Sequence, residues 1–353
     1  MPAHLGMPAN APDLPADAPL IDRYGRVARD LRVSLTDRCN LRCTYCMPED
    51  PDHWLPEDTL LTDDELTRLI GVAITRLGIS DVRFTGGEPL LRRGLEQLIA
   101  ATATLRTVDG AVPGISLTTN ALGLARRARK LAAAGLQRVN VSLDSINPKH
   151  YAEVTRRNHL PAVVAGLTAA RDAGLAPIKV NAVPQPAHYT TDAPALLRFC
   201  LAQGYQLRFI EHMPLGGSVE WRRNAIVTRQ QLLTALVAAG ARLTAPPTER
   251  GTSPAELWNV EWGDLTGDIG IIAAVTAPFC TSCDRTRLTA DGQIRTCLFD
   301  QVETDLRGPL RAGASDDELA QLWRRATWLK PRSHGIDHDG FARPSRPMSA
   351  IGG

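Results

Sequence analysis

Leu31-Arg32-Val33-Ser34-Leu35-Thr36-Asp37-Arg38-Cys39-Asn40-Leu41-Arg42-Cys43-Thr44-Tyr45-Cys46 is the stretch from which the rest of the chain can be read. Its opening residues alternate apolar and polar, the period of two expected of a strand whose two faces meet different surroundings. Three thiols follow within eight residues. The same alternation returns in Arg83-Phe84-Thr85, Ser116-Leu117-Thr118, Asn140-Val141-Ser142-Leu143 and Lys179-Val180-Asn181. Strands are therefore expected at Leu31–Leu35, Val82–Thr85, Ile115–Thr119, Arg138–Leu143, Ile178–Val183 and Gln206–Ile210. Amphipathic helices are expected between them, at Asp63–Leu77, Gly94–Leu105, Leu122–Ala134, Pro161–Ala173 and Asp192–Gln203. Six strands separated by helices imply a parallel sheet. Buried parallel strands normally read as unbroken apolar runs. Here the apolar face can pack on the helices, and the polar face must line something wet or ligand-filled. An antiparallel sheet with one solvated face is the alternative, and the intervening helices disfavour it. The expected fold is α/β, a partial (incomplete, six-stranded) TIM-like barrel with a polar lumen.

Working outward, the 353 residues suggest about two domains at ~150 residues each. The turn-rich Met213-Pro214-Leu215-Gly216-Gly217 marks a boundary. Beyond it, helix candidates Thr228–Ala239 and Asp316–Thr327 mix with strand-like Ile269–Val275 and Ile294–Leu298, an α+β extension. The expected division is a flexible leader at 1–20, the barrel at 21–215, the extension at 216–340 and a tail at 341–353. Pro344, Pro347 and Gly352-Gly353 argue for an irregular, extended tail. Its thirteen residues span at most about 43 Å, enough to reach the barrel mouth. A net charge of +2 argues against a nucleic-acid or membrane-surface binder. No apolar run approaches the ~18 residues of a membrane span, and Met1 to Leu20 lacks signal-peptide character, so the chain reads as cytoplasmic. Arg126, Arg127, Arg129 and Lys130 read as a solvated helix face.

Six of the seven cysteines form two triplets, Cys39/Cys43/Cys46 and Cys280/Cys283/Cys297. Clustered thiols in such a chain point to metal rather than disulfides. Cys200, beside Phe199, reads as a buried structural thiol. The first triplet follows the first strand, at the barrel's C-terminal mouth where active-site loops collect. Three thiolates can hold three corners of a four-iron, four-sulfur cluster and leave one iron open. Structural zinc with His53 as fourth ligand is the alternative. For the second triplet, zinc with His334 likewise stays open. Between its ligands lies Asp284-Arg285-Thr286-Arg287, and arginines at i and i+2 share one face of an extended segment. Structural ligation needs no such charges, whereas a phosphate-bearing substrate does. Only four of the 40 basic residues are lysines, and Lys179 sits inside a strand, where a compact charge suits a phosphate as well as a snorkelling edge. There is no Gly-x4-Gly-Lys-Ser/Thr loop, so a triphosphate would have to be gripped by side chains.

The Cys-x3-Cys-x2-Cys spacing with Tyr45, together with Gly86-Gly87-Glu88-Pro89 after the second strand, resembles the signature of the radical S-adenosylmethionine (SAM) enzymes. From about Asp22 to Gly353 the chain is similar to the branch of that family at the first step of molybdopterin (molybdenum cofactor) biosynthesis. The shared motifs are Phe209-Ile210-Glu211-His212-Met213-Pro214-Leu215, Phe279-Cys280, Cys283 through Leu288, Asp305-Leu306-Arg307 and Met348-Ser349-Ala350-Ile351-Gly352-Gly353. The resemblance implies a lyase with two [4Fe-4S] clusters that uses SAM to convert GTP to 3′,8-cyclo-7,8-dihydro-GTP. It implies that Cys39, Cys43 and Cys46 hold the SAM cluster, with Tyr45, Gly87, Ser142 and Met213 lining the SAM pocket and glycine backbone lying against SAM. Cys280, Cys283 and Cys297 would hold the second cluster, whose open iron meets guanine. Arg32, Arg83, Thr118, Lys179, Arg285 and Arg287 would contact GTP, and Arg285, Arg287, Gly352 and Gly353 would serve catalysis, the tail entering the active site. Expected partners are an electron donor and the cyclic pyranopterin monophosphate synthase that receives the product, with a homodimer left open. A radical SAM peptide maturase and a non-catalytic zinc-stabilised binding module are the competing readings.

Overall fold

Strand and helix alternate along the first two thirds of the chain: β1 (Asp30–Ser34), α1 (Asp63–Leu77), β2 (Asp81–Thr85), α2 (Leu95–Thr104), β3 (Gly114–Thr119), α3 (Leu124–Ala133), β4 (Arg138–Ser142), α4 (Pro148–Thr155), α5 (Leu160–Asp172), β5 (Ile178–Ala182), α6 (Tyr189–Gln203) and β6 (Gln206–Ile210). There follow α7 (Arg229–Ala238), β7 (Arg242–Thr244), β8 (Glu256–Trp262), β9 (Leu265–Ile272), β10 (Arg285–Leu288), β11 (Gln293–Arg295), β12 (Thr304–Asp305), α8 (Arg307–Arg311), α9 (Asp316–Trp328) and α10 (Met348–Ile351). The computed structural model describes residues 17–50, 54–215, 221–245, 250–336, 338–339 and 341–352.

Local chemistry explains these elements. The Thr62 hydroxyl accepts the Glu65 N–H at 3.1 Å while the Glu65 carboxylate accepts the Thr62 N–H at 2.8 Å, closing the start of α1. Leu66, Leu69, Ile70, Ala73, Ile74 and Leu77 then recur at helical spacing and are buried. Leu31, Val33, Val82, Phe84, Leu117, Val141 and Val180 form the inner half of the same core. Each such side chain contributes about 1.5–3 kcal/mol on burial. Cys200 is fully buried within it.

The twelve strands of the described residues belong to one sheet, ordered β12-β11-β10-β1-β2-β3-β4-β5-β6-β9-β8-β7. From β10 to β9 the neighbours are parallel, and the two ends are finished by antiparallel pairs. The six expected strands, β1 to β6, are neighbours in order, and β9 and β10, from the C-terminal third, add to their opposite edges to make a parallel run of eight. Arg287 and Arg32 at one end, Thr118 and Asn181 in the middle and Ile272 at the other all face one cavity. A flat sheet could not bring them together, so the sheet curls around that cavity as an open barrel.

Two expectations need correction. The tail is not wholly extended, because Met348–Ile351 makes a single helical turn after Pro347, which occupies the N-cap and needs no N–H there. Arg127 is not solvated: it pairs with Glu96 and donates to the Leu90 carbonyl at 2.6 Å, while Arg126, Arg129 and Lys130 are exposed.

Candidate active site

The first triplet lies in the loop beyond the C-terminal end of β1. Cys39 Sγ accepts the Leu41 N–H at 3.4 Å and Asn120 Nδ2 at 3.7 Å. That loop is clamped against the turn after β2. Gly87 N–H reaches the Thr36 carbonyl at 2.6 Å and Glu88 N–H the Arg38 carbonyl at 2.8 Å. A Cβ on Gly87 would come within 2.3 Å of the Arg38 oxygen, so the close approach that demands glycine here is to the cysteine loop's own backbone. Glu88, buried, accepts Thr119 Oγ1 and Asn120 N–H at 2.7 Å and Leu90 N–H at 2.9 Å. Burial nevertheless pushes its carboxyl up to about 7. The Tyr45 hydroxyl donates to Asp144 Oδ2 at 3.0 Å, and Asp144 Oδ1 accepts the Val183 N–H at 2.7 Å, fixing the tyrosine at the cavity wall. Burial pushes the Cys46 thiol up to about 12, with the Cys39 and Asp144 charges adding to it.

The second triplet sits at the other end of the barrel. Cys280 and Cys283 lie in the connection from β9 to β10, just before Arg285, whose register partner is Asp30 at the start of β1. The loops that carry the two triplets thus lie beyond opposite ends of β1, a strand of four steps of ~3.3 Å, or about 13 Å. Burial would push the Cys283 thiol up, but Arg285 and Lys330, by charge and hydrogen bonds, bring it down to about 7.

Between the triplets the wall is cationic. Arg287, Arg32 and Arg83 are successive register partners on β10, β1 and β2, and Arg285 stacks over Phe279 with its guanidinium 4.5 Å from the ring centre. Like charges side by side oppose one another. Burial and the neighbouring Arg83 and Arg287 lower Arg32 well below its usual range, and burial with Arg285 brings Arg287 to about 10. Arg32 Nε, Arg208 Nε, Arg285 Nε and Nη2, and Asn181 Oδ1 are buried without a hydrogen-bond partner among the described residues. Buried donors of this kind call for an acceptor from outside the chain.

Of the residues singled out in the sequence, Tyr45, Ser142, Met213, Arg32, Arg83, Thr118, Arg285, Arg287, Cys280, Cys283 and Cys297 line the one cavity. Cys39, Cys43, Cys46 and Gly87 are not among its lining residues, and Lys179, between Asn140 and Gln206 in register, lies near Arg208, Arg83 and Arg138. The tail reaches the same place. Met348 lines the cavity, the Ser349 N–H hydrogen-bonds the Cys46 thiol, and the buried Gly352 carbonyl accepts from Arg287. Gly353 and His53 lie outside the described residues. Arg208 and Asn181, which the motif reading passed over, occupy the same polar alternation on β6 and β5. Lys330 carried no sequence signal at all.

Both ring nitrogens of His334 are engaged within the chain: Nε2 lies 3.1 Å from the Ala274 carbonyl and Nδ1 accepts the Ile336 N–H at 3.2 Å. Among the described residues no three His, Cys, Asp or Glu side chains converge closely enough for a single metal ion.

Residues 33–200 match the Radical SAM superfamily model and residues 205–336 the model described as Molybdenum Cofactor Synthesis C. The fold is similar to that of Streptococcus suis SuiB, with TM-score 0.57 and 15% identity, covering 91% of this chain and 78% of that one. Native anSMEcpe with bound AdoMet aligns with TM-score 0.54 and 14% identity over 82% of each chain. At such identities the likeness speaks for the fold alone. The GTP 3′,8-cyclase of Mycobacterium marinum is 58% identical over 347 residues, 98% of this chain and 95% of the relative. That of Mycolicibacterium smegmatis is 56% identical over 347 residues, with the same coverage. The chain belongs to the GTP 3′,8-cyclase family of the radical SAM superfamily.

Proposed function

We infer that the chain is a lyase that joins C3′ of GTP's ribose to C8 of its guanine, giving 3′,8-cyclo-7,8-dihydro-GTP at the head of molybdenum-cofactor biosynthesis. The observation that carries this is one cavity lined by Cys280, Cys283 and Cys297, by Tyr45 of the first triplet's loop, and by a cationic wall whose buried donors lack partners among the described residues. Each triplet offers three thiols, which suits a four-iron cluster with an open iron. Cys39, Cys43 and Cys46 would hold the one that meets SAM, with Tyr45, Ser142 and Met213 beside it. Cys280, Cys283 and Cys297 would hold a second, facing the guanine. Cluster and SAM supply, when bound, the one-electron chemistry of hydrogen-atom removal. The chain's own residues bind, orient and exclude water. Arg285, Arg287, Arg32, Arg83 and Thr118 would grip the nucleotide, which relieves their mutual repulsion and fills their empty donor positions. Gly352 would steady Arg287 against it. On this reading 21–215 builds the SAM half, 216–340 the GTP half and 341–353 closes the mouth. An external donor would supply electrons, and a cyclic pyranopterin monophosphate synthase would take the product. No helix of the described residues is long and apolar enough to cross a membrane. The test is anaerobic incubation with reductant, SAM and GTP. Deoxyadenosine and a cyclised nucleotide are the expected products, and GTP returned unchanged by iron-replete protein would overturn the reading.

Two expected outcomes belong here. Arg285→Ala and Arg287→Ala each remove a charge-assisted contact worth roughly 1.5–3 kcal/mol, or about 10- to 150-fold in GTP affinity. Calorimetry showing unchanged affinity in both variants would remove the triphosphate from this wall. The second concerns Lys179, which burial and the nearby Arg208, Arg83 and Arg138 bring down to about 8. Its ammonium form, the one that attracts a polyanion, is present below that pH and lost above it. GTP binding is thus expected to weaken as pH rises through about 8, where the triphosphate itself is already ionised. Lys179→Met should flatten the profile, and an equal slope in both proteins would exclude this lysine as the cause.

A further inference from the structure

Beside the second triplet lies a buried charge to which no role has yet fallen. Lys330 is 3% exposed and follows α9. Its ammonium group has three N–H bonds and three acceptors: the Cys283 carbonyl at 3.0 Å, the Arg285 carbonyl at 2.9 Å and Cys283 Sγ at 3.4 Å. Sulfur is the only one of the three that can carry negative charge. The neighbouring Arg26 makes the contrast. It also holds the triplet's backbone, donating to the Cys280 and Pro331 carbonyls at 2.6 Å, but it is balanced by Asp22 at 2.6 Å. No Asp or Glu among the described residues forms an ion pair with Lys330. A buried ammonium without a counter-charge is costly, and two carbonyls alone could be served by a neutral amide.

The lysine is also held in place. A capping box at Ser315 and Glu318 starts α9, and Trp323 Nε1 donates to Thr286 Oγ1 on β10 at 3.0 Å. The Lys330 N–H then bonds the Thr327 carbonyl at 3.0 Å, so the helix delivers the side chain to Cys283 from a fixed base.

We infer that Lys330 is a positioning residue whose N–H···S hydrogen bond to Cys283 raises the reduction potential of an iron–sulfur cluster held by Cys280, Cys283 and Cys297. This rests on the two-cluster reading and deepens it. Reduction adds one electron to a cluster whose thiolates are already anionic. Hydrogen bonds and positive charge at a ligand sulfur favour the more negative, reduced form.

The experiment uses the full-length Cys43→Ser protein, in which only the second cluster remains, with and without Lys330→Met. Each is titrated with dithionite, and the reduced cluster is followed by electron paramagnetic resonance. At a fixed solution potential the Lys330→Met protein is expected to hold about tenfold less reduced cluster relative to oxidised, a midpoint lower by about 59 mV for a one-electron couple. Iron content should be unchanged. An unchanged midpoint with an intact cluster overturns the inference alone, whereas a Cys43→Ser parent without iron overturns the two-cluster reading and the inference with it. If Lys330→Met does not assemble its cluster, pulsed resonance on the Cys43→Ser parent carrying nitrogen-15 lysine decides. A nitrogen coupling at the reduced cluster supports the Lys330 contact, and its absence overturns it.

Discussion

Cys43→Ser is expected to reduce SAM cleavage to background while leaving GTP binding in place, and Cys283→Ser is expected to do nearly the reverse. The asymmetry follows from the barrel. The two triplets lie at opposite ends of β1, and their surroundings differ: Tyr45, Asp144 and Glu88 about the first, Arg285, Arg287 and Lys330 about the second. A serine hydroxyl is a poor substitute for a thiolate at iron. On the proposed reading, losing Cys43 would remove the electron source, and losing Cys283 would remove the surface that meets the nucleotide. Deoxyadenosine and cyclised nucleotide are measured side by side after anaerobic reconstitution, with iron counted in each variant. Full GTP conversion by Cys283→Ser would mean that the second triplet is structural.

Deleting Gly352 and Gly353 is expected to abolish cyclisation while sparing both clusters and uncoupled SAM cleavage. Gly352 has φ 75° and lies so close to β2 that a Cβ would meet Thr85 Oγ1 at 2.6 Å. Its carbonyl accepts from Arg287, a buried guanidinium otherwise crowded by Arg285 and Arg32. Without that acceptor Arg287 is free to turn from the productive position. The tail's anchor, Arg346 paired with Asp291 at 2.7 Å, lies upstream and survives the deletion. Iron content and deoxyadenosine yield thus serve as internal controls, and wild-type cyclised product from the shortened chain would show the end to be passive.

The core of this arrangement was legible because it rests on short-range pattern. Alternation in five strands placed Arg32, Arg83, Thr118 and Ser142 on one face, and the structure puts all four on one cavity. The capping box at Thr62 and Glu65 bounded α1 at the residues expected. Long-range pairing was less legible. Nothing local in Leu265–Ile272 or Arg285–Leu288 says that they join opposite edges of the barrel, because register is set by partners far along the chain. Helix α4 was missed although Asn147 caps it and Pro148 opens it, since eight residues carry little periodicity. Lys330 was invisible for a simpler reason: a lone lysine after a helix has no pattern until folding brings Cys283 to it.

One stretch of chain, from β9 through β10, supplies both outer parallel strands of the barrel. Until it leaves the ribosome, β1 and β6 each present an unpaired edge, the first waiting for a partner that begins 255 residues later (285 − 30). Exposed parallel edges invite pairing with other chains, and loop closures of that length are slow. Chains cut short before β9 lack both edge partners and are expected to accumulate as aggregates rather than as a small, stable half-enzyme, which sedimentation of the truncated protein checks.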